Sequence, residues 1–132
     1  DVGTGTGILA IFAEMKNAAS VFAYDNDDWS VENSKENIER NQCRKIEIAK
    51  GEKEILSGHT CDILLANIHK NVILGDIPSY YHSLKTGGSL LLSGFYSEDL
   101  PDISDACEAM GMEIEKFVVK ENWVAARFTK VK

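Results

Sequence analysis

Apolar and polar positions along the chain follow two periods, and each period predicts one kind of element. Short apolar or alternating runs predict strands, and amphipathic stretches with a period near 3.6 residues predict helices. The predicted strands cover 20–24, 45–49, 62–66, 89–93, 113–119 and 123–128. The predicted helices cover 7–15, 29–41, 71–84 and 100–110, and the Gly87-Gly88 pair predicts a turn before the fourth of these strands.

The order of these elements predicts an α/β fold. Strands that alternate with helices form a doubly wound, mostly parallel sheet with helices on both faces. The last two strands have no helix between them, so one of them should run antiparallel at an edge. Only Asp1 and Val2 of the usual first strand are present, so that strand is largely missing. Because no repeat or linker interrupts the pattern, we predict one domain over 1–132, taken from a longer protein.

Composition and charge narrow the functional classes. A chain of 132 residues is long enough for one domain. The net charge of −7 argues against direct binding to nucleic acid or an anionic membrane surface. No apolar run reaches the length of a membrane span. The three cysteines are not spaced as C-x-x-C and indicate free thiols in a reducing cytoplasm, and His59 and His82 lack ligand partners at metal spacing.

The first seven residues, DVGTGTG, form a glycine loop at the start of a helix. Glycines at alternate positions let backbone N–H groups approach a ligand closely. A dinucleotide fingerprint needs its third glycine at position 8, where the chain has Ile8, so the loop disfavours an NAD-linked oxidoreductase. The loop fits the D-x-G-x-G-x-G pattern of class I methyltransferases instead. Its candidate cofactor-binding residues are Asp1, Gly3, Thr4, Gly5 and Gly7.

Acidic residues after two strands complete the candidate cofactor site. Asp25 directly follows the strand predicted over 20–24, where a carboxylate can accept hydrogen bonds from both hydroxyls of a ribose. Asp27 is expected to serve the N-terminus of the next helix, and Asp28 is a further candidate for its cap. Glu52 lies either at the rim of an adenine site or in an exposed loop, and both interpretations stay open.

Asn67 is the candidate catalytic residue. It stands at the carboxyl end of a strand, where its amide can accept a hydrogen bond from an amine; the alternative is a helix cap. His69 faces the same pocket or begins a surface helix. Phe95 and Tyr96 either flank the substrate amine or serve core or rim packing, and both interpretations stay open. Trp123 is expected to serve packing rather than catalysis.

Five segments together resemble the PrmA family, which methylates protein eleven of the large ribosomal subunit. They are DVGTGTGILAI, YDND, CDILLANI, GGSLLLSGF and ENWVAARF, and they span nearly the whole chain. The resemblance implies a Rossmann-like class I methyltransferase domain with S-adenosylmethionine as cofactor. It also implies N-methylation of a lysine side chain or α-amine of that ribosomal protein, in the cytoplasm. Gly3 and Asp25 match the family's cofactor positions, and Asn67 matches an asparagine near both cofactor and amine.

The sequence also departs from relatives in ways that bear on the substrate. The family has an N-terminal recognition domain and a threonine-bearing segment before the glycine loop, and the given residues include neither, so we expect the chain to correspond to the catalytic domain alone. Ile68, His69 and Lys70 replace the last three residues of an N-P-P-Y motif, which argues against methylation of DNA adenine or of a glutamine amide. The alternatives are a class I methyltransferase for another protein or small-molecule amine and a non-catalytic cofactor-binding module.

Overall fold

The computed structural model describes all 132 residues, and their contacts divide the chain into two compact units, 1–52 and 53–132. The first unit contains four elements. They are α1 (Ile8–Met15), β1 (Val21–Asp25), α2 (Asp28–Arg40) and β2 (Ile46–Lys50). β1 and β2 pair in parallel, from Val21 opposite Ile46 to Asp25 opposite Lys50. Val2 makes an isolated parallel bridge to Tyr24, so the remnant of the largely missing strand lies beside β1.

Helix α2 begins one residue earlier than predicted, with a different cap. The Asp27 side chain accepts a hydrogen bond from the Ser30 amide at 2.9 Å, whereas Asp28 is the first helical residue. The prediction of Asp28 as the cap is therefore wrong, because only the residue before the first turn has a side chain aimed at the free amides. Asp28 instead pairs with Lys50 at 2.8 Å. The expected role of Asp27 at the helix N-terminus is confirmed.

The second unit contains the larger sheet. Its main elements are β3 (Cys61–Asn67), α3 (Lys70–Ser83), β4 (Leu84–Tyr96), α4 (Leu100–Met110), β5 (Met112–Lys120) and β6 (Trp123–Lys130), with short 3-10 turns at Lys53–Leu56 and Ser97–Asp99. The strand order is β3-β4-β6-β5. β3 and β4 run parallel, and β6 runs antiparallel to both β4 and the edge strand β5. The predicted antiparallel pairing at the edge is confirmed, and β6 lies one place inside that edge.

Buried side chains from the sheet and two helices form the core of the second unit. They include Leu64, Leu90, Leu92, Phe95 and Phe128 from the strands, with Ile73, Ile77, Tyr80, Ile103 and Cys107 from α3 and α4. None of the helices combines the length and the apolarity that a membrane crossing requires.

Strand β4 is much longer than predicted, and the expected turn lies inside it. Leu84 pairs with Cys61, and the next pair is Ser89 with Ile63, so the four residues from 85 to 88 bulge out of the ladder. Gly87, with a φ of 86°, lies in this bulge. The prediction of a simple turn is wrong because the chain resumes the same strand rather than reversing, which a local glycine pattern cannot reveal.

Candidate active site

The glycine loop, residues 1–7, has a backbone that favours glycine at alternate positions. Gly3, Gly5 and Gly7 all have left-handed φ angles, of 63°, 58° and 84°. A β-carbon built on Gly5 would meet no atom within 4 Å, whereas one on Gly7 would lie 3.3 Å from Ser34 Cβ. Gly7 thus allows α1 to start close against α2, and Gly5 borders open space that a bound ligand can use.

Asp25 holds this loop through its carboxylate. One oxygen, Oδ2, accepts a hydrogen bond from the Gly5 amide at 2.9 Å, and Oδ1 accepts one from the Asp27 amide at 3.1 Å. The Thr4 amide donates to the Tyr24 carbonyl at 3.0 Å, which fixes the loop to the end of β1. Asp25 is half-buried, and a carboxylate offers about four lone-pair sites. Acceptor capacity therefore remains for a ligand.

Two side chains of α2 hold the other side of the loop. The buried Ser34 hydroxyl donates to the Gly5 carbonyl at 2.6 Å, and the Asn37 amide donates to the Thr6 carbonyl at 2.9 Å. Sequence reasoning assigned neither residue to the site, although the inward-facing serine on an amphipathic helix was the available signal. These bonds satisfy loop carbonyls that would otherwise lack protein partners.

The remaining candidate cofactor residues of the first unit differ in how deeply they are buried. Thr4 is buried and its hydroxyl donates to Asp1 Oδ2 at 2.7 Å, so this pair braces the loop from within. Glu52 is exposed, and its Oε1 lies 3.5 Å from the Asn26 amide nitrogen. The ligand roles of these residues stay predictions, as do both interpretations of Glu52.

Asn67 is the last residue of β3 and is exposed at the strand end. It lines a cavity of about 560 Å³ in the second unit, together with Ile68 and His69, the end of β4, and the β5–β6 hairpin. We call this the strand-end cavity. The N-cap position of α3 is His69, and no side chain caps that helix. The helix-cap alternative for Asn67 is therefore wrong, and His69 both begins the helix and faces the cavity.

The β5–β6 hairpin gives the strand-end cavity an aromatic wall. Trp123 is 49% exposed and lines the cavity, and its ring lies 4.3 Å from that of Tyr96, centroid to centroid. Val118 and Lys120 of β5 line it as well. The contact with Tyr96 agrees with the packing role expected for Trp123, and the same ring lines the cavity because β6 begins at its mouth. Phe95 is 1% exposed, so of its two open roles the structure supports core packing.

Beside the cavity, Lys70 joins α3 to the start of α4. Its ammonium lies 2.7 Å from an Asp102 oxygen and 3.6 Å from Asp99. The hydrogen bond from Lys70 to Asp102, followed by the charges of both carboxylates, raises the pKa of Lys70. Lys70 thus pairs with one carboxylate on each side of the start of α4 and stays cationic.

Comparison with known proteins identifies the family. The family model described as ribosomal protein L11 methyltransferase (PrmA) matches residues 1–131. The chain belongs to the PrmA family. A family member from Porphyromonas gingivalis is 42% identical over 130 residues, which are 98% of this chain and 45% of that protein. A second, from Phocaeicola vulgatus, is 42% identical over 129 residues, 97% of this chain and 46% of that protein. The chain thus spans about half the length of these PrmA relatives.

Solved structures agree with the PrmA assignment. The ribosomal protein L11 methylase from Lactobacillus delbrueckii subsp. bulgaricus superposes with a TM-score of 0.93 at 30% identity, covering 100% of this chain and 69% of that one. Precorrin-6y C5,15-methyltransferase from Geobacter metallireducens has a TM-score of 0.82 at 19% identity over 100% of this chain and 78% of that one, which shows the fold alone. The predicted fold class, an α/β fold of class I methyltransferases, is confirmed.

Proposed function

We propose that this chain is the catalytic part of an S-adenosylmethionine-dependent N-methyltransferase that methylates amino groups of ribosomal protein L11. The observation that carries the proposal is the match of residues 1–131 to the PrmA family. The curated relatives of this chain are named ribosomal protein L11 methyltransferase. The D-x-G-x-G-x-G loop, with its left-handed glycines, supports the cofactor. The net charge of −7 supports a protein rather than a nucleic-acid acceptor, and we place the reaction in the cytoplasm.

The first unit would hold the cofactor. Open space at Gly5 leaves room for a ligand against the loop backbone, where a side chain would otherwise project. Asp25, already fixed by the Gly5 and Asp27 amides, would accept hydrogen bonds from the ribose. When bound, S-adenosylmethionine supplies a methyl group activated on a sulfonium. The protein's own task is therefore binding, alignment and exclusion of water.

The second unit would hold the acceptor. Asn67 at the strand-end cavity would accept a hydrogen bond from the amine and so orient its nitrogen lone pair. The amine must be neutral to act, and a lysine amine starts from a pKa of about 10.4, an α-amine from about 8. The apolar wall of Val118 and Trp123 favours the neutral form of an amine that enters. Burial in such surroundings lowers an amine pKa, which is the direction that transfer needs.

The test uses the full-length protein, purified L11 and S-adenosylmethionine with an isotopically labelled methyl group. We expect labelled methyl groups on L11 amines by mass spectrometry, and calorimetry should detect S-adenosylmethionine binding but not NAD binding. Label on a different protein or small amine, with none on L11, would replace the substrate assignment by the broader methyltransferase alternative. Cofactor binding without transfer to any amine would point to the non-catalytic module.

A further inference from the structure

Strand β4 carries one unpaired residue beside Asn67. Across the β4–β6 ladder, Ser93 pairs with Ala125 and Phe95 pairs with Val124, so Gly94 is a β-bulge with a φ of 93°. On the other side of β4, Ser93 pairs with Asn67, and the Ile68 amide donates to the Ser93 carbonyl at 3.1 Å. The bulge therefore lies directly against the end of β3. Such bulges are frequent beside active sites, where they change the direction of a side chain.

No side chain fits at position 94. A β-carbon built on Gly94 would lie 2.7 Å from Asn67 Oδ1, 2.8 Å from the Ile68 carbonyl oxygen and 2.9 Å from the Ile68 nitrogen. All three distances are below 3.0 Å, which β-carbons in proteins essentially never show. Two of the three atoms are backbone, so they could give way only if the chain moved after β3. The Asn67 Oδ1 atom and the Ile68 carbonyl oxygen therefore both lie within 2.8 Å of the position that a β-carbon on Gly94 would occupy.

We propose that Gly94 is a positioning residue for methyl transfer. Its bulge and its missing side chain allow the Asn67 amide oxygen and the Ile68 carbonyl oxygen to lie side by side at the strand-end cavity. This inference rests on the proposed function, because it gives those oxygens an acceptor amine to orient. A methyl group at position 94 displaces both oxygens, and methyl transfer depends steeply on alignment of the amine.

Gly87 provides a matched control in the same strand. Its φ of 86° is close to the 93° of Gly94, but a β-carbon on Gly87 would meet no atom within 4 Å. Both alanine variants therefore add the same kind of backbone strain, about 1–2 kcal/mol for a left-handed residue. Only the variant at Gly94 adds contact with Asn67 and Ile68.

The test compares Gly94→Ala and Gly87→Ala in the full-length protein. Turnover of L11, or of whichever amine the wild type methylates, is divided by the number of cofactor sites found by calorimetry, which corrects for unfolded protein. We expect Gly94→Ala to lower kcat by about tenfold or more while its cofactor affinity stays within about threefold of the wild type. Gly87→Ala should keep kcat within about twofold. Equal turnover in the two variants would overturn the positioning role, and a wild type that methylates no amine would instead overturn the proposed function together with this inference.

A double variant separates positioning from folding. Asn67→Ala removes the amide that Gly94 positions, so adding Gly94→Ala to it should lower the remaining turnover much less than Gly94→Ala lowers that of the wild type. A full, independent decrease in the double variant would contradict the proposal. If neither variant with Gly94→Ala folds while Gly87→Ala does, the glycine serves folding and the positioning role is wrong.

Discussion

The Asp25 carboxylate shapes the glycine loop, because its two oxygens accept hydrogen bonds from the Gly5 and Asp27 amides. Its remaining lone pairs leave capacity for the proposed bonds to a ribose. The sequence led to the ribose proposal but did not predict the bonds within the loop. A pattern of glycines and one downstream acid indicates which groups meet a ligand, but the loop's internal bonds depend on the three-dimensional path of the backbone.

Replacing Asp25 by alanine should weaken cofactor binding by about tenfold or more. Hydrogen bonds to a charged group contribute about 1.5–3 kcal/mol each, and the loop also loses its anchor at Gly5. Calorimetry with S-adenosylmethionine measures the change. The matched control is Asp27→Ala, which removes the cap bonds from the Ser30 amide and hydroxyl and should cost about 1 kcal/mol of stability with affinity retained. Unchanged affinity in Asp25→Ala would contradict the ribose assignment.

Replacing Asn67 by alanine should lower turnover more than cofactor affinity. Asn67 is exposed at the end of β3, so its loss leaves the core of the second unit intact. One lost hydrogen bond to the amine, about 1 kcal/mol, together with the lost alignment predicts a decrease in kcat of about tenfold. Steady-state kinetics and calorimetry on the same preparation separate the two effects. A variant that binds cofactor poorly but keeps its kcat would refute the amine-orienting role.

At the scale of elements, the hydrophobic period and the residues that begin or end helices predicted most helix and strand boundaries within one or two residues. α4 begins and ends where the pattern placed it, and α2 differs by one residue at each end. The larger error is β4, whose two bulges depend on pairing with β3 and β6 rather than on local sequence. The sequence did not predict that Trp123 also lines the cavity. That position depends on where the β5–β6 hairpin lies in the sheet, which the pattern of a single strand does not contain.

Replacing Ser34 by alanine should loosen the glycine loop from α2. The Ser34 side chain is fully buried and its hydroxyl donates to the Gly5 carbonyl at 2.6 Å, so its removal leaves a partly buried acceptor without that donor. We expect a loss of about 1–3 kcal/mol, seen as a melting temperature lower by several degrees, and weaker cofactor binding. Glu36→Ala, on the exposed face of the same helix, is the control and should melt within about a degree of the wild type. Equal melting temperatures in the two variants would show that the hydrogen bond from Ser34 to the Gly5 carbonyl contributes nothing to stability.

At the scale of the whole molecule, the fold class was predictable because strands and helices alternate with clear periods. The division of contacts at Glu52 was not, since no linker or change of composition marks it. The single domain over 1–132 therefore remains a prediction. The wider α/β architecture is secured by the family and the superposed structures rather than by the pattern alone.

The Cys107 thiol should report unfolding of the second unit, with Cys43 as a thiol that reacts in the native protein. Cys107 is fully buried in α4, and burial raises its pKa to about 12, so almost none of it is thiolate at pH 8. Because that shift disfavours the charged form, alkylation of Cys107 should begin only where the second unit unfolds. Cys43 of the first unit is partly exposed and should react in the native protein. Mass spectrometry of peptides across a denaturant series measures the alkylation of Cys107 and of Cys43. Alkylation of Cys107 at denaturant concentrations below the unfolding transition would contradict the packed core.

The bulge at Gly94 also affects how the length of β4 can change. Buried positions alternate at Leu90 and Leu92, and the next is Phe95 rather than residue 94. A strand shortened by one residue at that point would still bury the same three side chains, because the two-residue period would simply become regular. On this ground, we expect hydrophobic packing to tolerate the deletion of Gly94. Whatever keeps this extra residue in the chain acts at the tip of the sheet, outside its interior.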